Sequence, residues 1–204
     1  MYNECVFFFY AEVAVKALEE KIIAEGKVCP GHILKVGSFL NQRLDTDFLF
    51  EMGREIYRLF ENENVTKIVT VEASGIAIAM AAAFYFHVPA VFAKKGKSSN
   101  VTGDVYVSNV HSYTYNKDFN VVIAKEYVSA DDRVLIVDDF LATGEAVTGL
   151  ADIVKQAGAT LVGVCAAIEK GFQKGGDRLR EKGIRVESLA IIEEMDDESI
   201  RFRT

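Results

Sequence analysis

Short apolar runs alternate with helix-like segments along most of the chain. Continuous apolar runs are typical of strands buried on both faces, and their alternation with helices is typical of a parallel sheet covered by helices. The pattern therefore predicts an α/β fold without an internal repeat or a linker. The predicted strands are residues 67–71, 90–93, 105–110, 119–126, 134–137, 161–168 and 185–192, with a turn at 116–118.

Between the strands, apolar residues recur at the three- and four-residue spacing of amphipathic helices. The first helix is predicted to end at Gly26, because glycine commonly follows the last helical turn. The second is predicted to begin with Asp45 or Asp47 as its N-cap. The other predicted helices are residues 76–86, 146–157 and 177–182, whereas residues 28–44 are predicted to be irregular and residues 94–103 to form a mobile basic loop.

Composition narrows the class of function. The chain has 204 residues, of which half are apolar, and this is enough for one domain with a substantial core. A net charge of -7 argues against a general nucleic-acid grip, and no apolar run reaches the roughly 18 residues that span a bilayer. Cys5, Cys29 and Cys165 are widely spaced and unpaired in sequence, as expected for reduced thiols. We therefore expect a cytoplasmic protein that acts on small molecules, with no nucleic-acid or membrane partner.

The segment 134–146 carries the clearest candidate chemistry. A buried strand leads into Asp138 and Asp139, and the carboxyl ends of strands are where open α/β sheets bind ligands. Two adjacent acids at such a place are costly unless they face water, a cation or hydroxyl groups. The small-residue turn that follows offers backbone N–H groups, a hydroxyl and a helix N-terminus to a phosphate. A phosphorylated sugar fits both halves, although an acidic cap before an ordinary helix is the alternative. The turn consists of Ala142, Thr143, Gly144, Glu145 and Ala146.

This segment resembles the motif by which type I phosphoribosyltransferases bind phosphoribosyl pyrophosphate (PRPP). Further segments, in the same order, are similar to bacterial xanthine phosphoribosyltransferases, and the resemblance extends over about residues 17–202. It implies a mainly parallel central sheet flanked by helices, with a small hood built from N-terminal and C-terminal segments. It also implies a single domain at 15–204, preceded by an extension at 1–14 that has no counterpart. The further segments are residues 34–41, 70–75, 91–95, 153–159, 168–170 and 185–190.

The resemblance assigns the PRPP site residue by residue. Asp138 and Asp139 would hold the ribose hydroxyls as catalytic residues, and the turn at 142–146 would wrap the 5′-phosphate. Lys95, with Lys94 and Lys97 beside it, would stabilise charge on the departing pyrophosphate. Mg²⁺ would arrive with PRPP and would not be held by protein side chains alone. The pyrophosphate loop would be Glu72, Ala73, Ser74 and Gly75, for which an ordinary strand-to-helix turn is the alternative.

The base site implied by the resemblance joins two distant segments. Phe172 would stack on the purine, and Lys170 would donate to an exocyclic oxygen. Xanthine has a carbonyl at the 2-position, so the site needs a donor there, and Asn41 or a backbone amide near Leu34 would supply it. Without the resemblance, Leu34 would be interpreted as a core residue and Asn41 as a turn residue.

The implied activity is the transfer of a phosphoribosyl group from PRPP to xanthine, by a homodimer. Two alternatives stay open at this point. One is a phosphoribosyltransferase for hypoxanthine and guanine or for adenine, because the PRPP motif is shared and only the base site differs. The other is a PRPP-sensing purine regulator of the same fold, although the acidic charge and short N-terminal region disfavour DNA binding.

Overall fold

The computed structural model begins with an N-terminal helix, α1, at residues 16–25. A hairpin of β1 (Lys27–Cys29) and β2 (Ile33–Lys35) follows, and then a π-helical turn at Gly37–Asn41. The segment predicted to be irregular is therefore mostly ordered. The structure describes residues 16–96, 103–112, 117–196 and 199–203, so the predictions for residues 1–14 and for Lys97 lie outside it.

The helices and strands after this hairpin follow the predicted alternation. Asp45, and not Asp47, caps the second helix: its carboxylate accepts a hydrogen bond from Phe48 N at 3.3 Å. The elements are α2 (Thr46–Phe60), β3 (Lys67–Val71), α3 (Gly75–Phe86), β4 (Ala90–Lys95), β5 (Val105–Ser112), β6 (Lys117–Ala124), β7 (Arg133–Leu141), α4 (Glu145–Gln156), β8 (Thr160–Lys170), α5 (Gly175–Glu181), β9 (Val186–Met195) and β10 (Ile200–Phe202).

Eight strands form one sheet in the order β10-β9-β8-β7-β3-β4-β6-β5. The five strands from β9 to β4 are parallel to one another, whereas β10, β6 and β5 pair antiparallel to their neighbours. The carboxyl ends of β3, β7 and β8 therefore lie side by side at one edge of the central sheet. This is the position at which parallel sheets bind ligands.

Two apolar cores cover the two faces of the sheet. One contains residues of α1, α2 and α3, and the other contains residues of α4. Helices α2 and α3 pack closely at Gly53, which has no side chain. A Cβ there would lie 2.6 Å from the backbone of Ala81. No helix among the described residues is long and apolar enough to cross a membrane.

The structure corrects several predicted boundaries. Strand β4 continues to Lys95, so the basic segment begins as a strand and not as a loop. Lys117 and Asp118 pair with β5, so the predicted turn at 116–118 is wrong for these two residues. Strand β10 was not predicted, because its three residues are too few to show a period.

The N-terminal hairpin covers the carboxyl ends of the sheet together with the C-terminal strands. His32 Nδ1, in the turn of the hairpin, lies 2.8 Å from the Met195 carbonyl oxygen at the end of β9. The Lys170 ammonium, at the end of β8, donates to the His32 carbonyl at 3.0 Å. These contacts create the expected small hood above the central strands.

Candidate active site

The predicted acids lie inside strand β7 and not beyond its end. Asp138 is 5% exposed and Asp139 is 8% exposed, so both are more buried than the sequence indicated. The Asp139 carboxylate accepts a hydrogen bond from Asn41 Nδ2 at 3.2 Å, and Asp138 Oδ1 accepts one from the Asp139 N–H at 3.0 Å. Asp139 is not a helix cap, because Gly144 holds the N-cap position of α4.

Burial affects the ionisation of this pair. Burial, and then the negative charge of Asp139, raises the pKa of Asp138 well above its usual value. The positive charge of Lys95 opposes this rise of the pKa, but its effect is smaller than those of burial and of Asp139. The negative charge of the two buried acids is therefore only weakly balanced by nearby positive charge. A pair of this kind is suited to contact with hydroxyl groups or a cation.

The turn at residues 72–75 connects β3 to α3 at the carboxyl end of the sheet. The Glu72 carboxylate accepts a hydrogen bond from the Lys95 N–H at 2.7 Å and so joins this turn to the end of β4. The Glu72–Ala73 peptide bond is cis. Ser74 makes no side-chain cap to α3, which argues against the simple capping interpretation.

Gly75 brings this turn against the acids. A Cβ at this position would lie 2.1 Å from Thr70 Oγ1 and 2.7 Å from Asp138 Oδ1, so only glycine fits. Thr70 Oγ1 is buried and has no hydrogen-bond partner among the described residues. Buried hydroxyls are rarely left unpaired, and a functional site is one explanation of such an exception. Nothing in the sequence indicated it.

The turn from Ala142 to Ala146 joins β7 to α4. Gly144 has φ of 83°, which is the left-handed region that favours glycine, and α4 begins at the next residue, Glu145. No side chain in the described part of the chain caps this helix, so the N–H groups of its first turn can donate to a ligand or to water. Thr143 and Ala146 are partly accessible.

The residues predicted to bind the base lie in different environments. Leu34 is 6% exposed and belongs to the core, so its side chain is not available to a ligand. Phe172 is partly buried, with its ring centroid 5.6 Å from that of His32. Partial burial lowers the pKa of Lys170, whose ammonium also lies 5.7 Å from the Phe140 ring. Asn41 contacts the acid pair directly.

A buried ion pair supports the base segment, and the sequence analysis missed its role. Glu169 is fully buried and makes two hydrogen bonds to Arg180, at 3.0 and 2.8 Å, and accepts a third from Ser188 Oγ at 2.6 Å. In the sequence, Glu169 is a single carboxylate at the end of an apolar strand, and such a buried acid indicates a charged or hydrogen-bonding partner. Because Glu169 precedes Lys170, this network fixes the position from which the lysine extends.

The lysines expected over the pyrophosphate are only partly described. Lys95 ends β4, and its ammonium lies 5.6 Å from the Phe119 ring centroid. Lys94 pairs in register with Val122 of β6. The two lysines therefore stand on an ordered strand beside the turn at Glu72, and their contact with a pyrophosphate stays a prediction.

Comparison with known proteins identifies the family. A model of the phosphoribosyl transferase domain matches residues 44–201. Xanthine phosphoribosyltransferase 1 of Clostridium perfringens is 54% identical over 190 residues, which are 93% of this chain and all of that protein. The chain belongs to the phosphoribosyltransferase family. Xanthine phosphoribosyltransferase of Clostridioides difficile is 50% identical over the same shares of the two chains.

Solved phosphoribosyltransferases share the fold. The adenine phosphoribosyltransferase of Giardia lamblia, complexed with 9-deazaadenine, superposes with a TM-score of 0.73 at 22% identity, over 87% of this chain and 98% of that one. The enzyme from Rhodothermus marinus superposes with a TM-score of 0.72 at 20% identity, over 89% and 99%. The predicted type I phosphoribosyltransferase fold is confirmed.

Proposed function

We propose that this phosphoribosyltransferase joins xanthine to the ribose of PRPP and forms xanthosine 5′-monophosphate and pyrophosphate. One observation carries the proposal: Asn41, predicted for the base, lies 3.2 Å from Asp139, predicted for the ribose, although 98 positions separate them in sequence. Relatives named xanthine phosphoribosyltransferase, which are 54% and 50% identical over 190 residues, support the choice of base.

The chain's own residues would bind PRPP at three points. Backbone N–H groups of residues 142–146 and the N-terminus of α4 receive the 5′-phosphate. Asp138 and Asp139 accept hydrogen bonds from the ribose hydroxyls. The turn at 72–75 receives the pyrophosphate, with Lys95 beside it.

The reaction proceeds by positioning and electrostatics. The bond from C1 of the ribose to the pyrophosphate oxygen breaks, and the pyrophosphate leaves with the electron pair. A purine nitrogen donates its lone pair to C1 and then loses its proton to solvent. The carboxylates of Asp138 and Asp139 stabilise the positive charge that develops on the sugar.

The base would lie between Phe172 and the hood. Lys170 donates one hydrogen bond to the His32 carbonyl, which leaves two ammonium donors for the xanthine oxygens. Asn41 Nδ2, or the backbone near Leu34, donates to the carbonyl at the 2-position. Guanine has an amino group at the 2-position, so its N–H donors would face the protein's own donor and form no hydrogen bond with it.

Magnesium fits this site as a partner of PRPP. Mg²⁺ prefers oxygen ligands and is commonly bound by one or two carboxylates together with substrate phosphates. Asp138 and Asp139 offer such oxygens, and their only side-chain donor in the hydrogen bonds above is the neutral amide of Asn41. Among the described residues, no group of three or more His, Cys, Asp or Glu side chains is placed to hold a metal. When bound with PRPP, the ion would neutralise pyrophosphate charge.

The direct test is nucleotide formation from xanthine. Purified protein with xanthine, PRPP and Mg²⁺ should release pyrophosphate and xanthosine 5′-monophosphate in equal amounts. Omission of PRPP or of xanthine is the control. Absence of the nucleotide from a folded protein would refute the proposed function.

The proposed assembly is a homodimer. Leu44, Met80 and Phe84 are 47%, 50% and 59% exposed, and Leu44 and Met80 line one cavity with Phe50, whose ring centroid is 5.3 Å from that of Phe84. Contiguous exposed apolar surface of this kind is typical of protein interfaces. Phe84→Glu should lower the mass measured by analytical ultracentrifugation, whereas Tyr127→Glu, at another exposed aromatic, should not.

We also propose that residues 15–204 form the catalytic domain and that residues 1–14 are an extension. The 190 residues matched by the Clostridium perfringens relative cover the whole of that protein, in support of this division. Cys29 and Cys165 are both free thiols, which suits a reaction in the cytoplasm.

A further inference from the structure

Helix α5 contacts the back of the phosphate turn through two hydrogen bonds. The Gly175 N–H donates to the Ala142 carbonyl at 3.1 Å, and Arg178 Nη2 donates to the Thr143 carbonyl at 2.7 Å. These are consecutive carbonyls of the turn. Neither Gly175 nor Arg178 belongs to the PRPP motif recognised in the sequence.

The bonds set the direction of the turn's donors. In a trans peptide, the C=O of one residue and the N–H of the next point to opposite sides. The hydrogen bond from the Gly175 N–H to the Ala142 carbonyl therefore directs the Thr143 N–H away from α5. In the same way, the hydrogen bond from Arg178 to the Thr143 carbonyl directs the Gly144 N–H away from α5, toward the space in front of the turn.

Helix α5 is itself firmly seated. A Cβ on Gly175 would lie 2.2 Å from the Ala142 oxygen, so the close contact requires glycine there. A Cβ on Gly176 would lie 2.0 Å from Glu169 Oε1, and Glu169 is anchored to Arg180 of the same helix. The support behind the turn is thus continuous with the buried network beneath the base segment.

We propose that Arg178 is a positioning residue for the 5′-phosphate of PRPP, which acts by holding the Thr143–Gly144 peptide with its N–H toward the phosphate. The inference rests on the proposed function, because it assumes that this turn binds PRPP. Arg178 is exposed, so its bond to Thr143 should add little to folding stability.

The test compares phosphate affinity with base affinity in Arg178 variants. Calorimetry with PRPP and with ribose 5-phosphate should show that Arg178→Ala raises both Kd values about tenfold, equivalent to about 1.4 kcal/mol. The KM for xanthine should stay within about twofold of the parent, on the same scale. Arg178→Lys keeps one donor within reach of the carbonyl and should recover part of the lost affinity.

Arg185→Ala is the matched control. Arg185 also donates to a backbone carbonyl at 2.7 Å, that of Leu59, but far from the phosphate turn. It additionally pairs with Glu63 and Glu187. Its loss should lower the melting temperature at least as much as Arg178→Ala does, and should leave both Kd values unchanged.

Ionic strength separates positioning from direct contact. A bond to the carbonyl acts through geometry, so the loss in Arg178→Ala should persist at about 0.5 M salt, where exposed charges are screened. A loss that vanishes there would mean that Arg178 attracts the phosphate by its charge, and would overturn the inference. Unchanged Kd values in Arg178→Ala would overturn it as well. A parent protein that binds neither ligand would overturn the proposed function together with it.

Discussion

Replacement of each acid of the β7 pair by asparagine separates catalysis from stability. Asparagine keeps the shape of the side chain and removes its charge. If each carboxylate accepts hydrogen bonds from ribose hydroxyls that strengthen in the transition state, its neutralisation costs about 1.5 to 3 kcal/mol. That corresponds to a loss of roughly 10- to 150-fold in kcat/KM for PRPP in Asp138→Asn and in Asp139→Asn.

Stability should change in the opposite sense for Asp138→Asn. Burial and the charge of Asp139 raise the pKa of Asp138 above its unfolded value of 3.8, so the folded protein holds this proton more tightly. The resulting stabilisation is fully present below pH 3.8 and is lost as the pH rises through the raised pKa. Asparagine cannot ionise and avoids this loss. The melting temperature of Asp138→Asn relative to the parent should therefore increase as the pH rises from about 4 to 8.

Two measurements decide the matter: kcat/KM for PRPP, and the melting temperature at several pH values, for both variants and the parent. Asn41→Ala is a useful control for Asp139, because it removes the donor at 3.2 Å while keeping both charges. Near-parental turnover in both asparagine variants would remove the acids from the mechanism. A relative melting temperature that falls with pH would refute the electrostatic argument.

Three further changes test the base site, the turn after β3 and the N-terminal extension. Lys170→Ala should raise the KM for xanthine by roughly 10- to 150-fold, the loss of a charged hydrogen bond, with little change in the KM for PRPP; equal effects on both would indicate a folding defect. Gly75→Ala places a Cβ 2.1 Å from Thr70 Oγ1, so it should lower stability by about 1 to 3 kcal/mol in denaturant unfolding and weaken PRPP binding. If Gly75→Ala keeps the parental KM for PRPP and the parental stability, the turn can shift enough to accommodate a Cβ. A protein that begins at Val15 should keep full activity and solubility, and loss of folding would assign residues 1–14 to the core.

Most of the fold could be predicted because its central strands are continuous apolar runs separated by helical segments. Residues 67–71 were predicted without error, since a run of β-branched residues between turns has few other interpretations. The hairpin of β1 and β2 was missed. Its two strands have three residues each, too few to show a period, and tertiary contacts such as that of His32 with Met195 hold it in place.

The candidate site was predictable where one segment carries a complete motif, as at Asp138, Asp139 and the turn that follows. It was not predictable where distant residues meet. The bond from Asn41 to Asp139 and the support of Thr143 by Arg178 depend on tertiary packing, and neither partner indicates the other in sequence. The resemblance to known enzymes supplied Asn41, but not Arg178.

Competition among the four bases is the sharpest test of xanthine as the substrate. With limiting PRPP and equal concentrations of xanthine, hypoxanthine, guanine and adenine, the ratio of nucleotides formed reports the ratio of kcat/KM values. Xanthosine 5′-monophosphate should be the main product, because Lys170 and the donor at Asn41 match the oxygens of xanthine. Predominant formation of adenosine 5′-monophosphate would contradict it, because adenine has no oxygen for either group to bind.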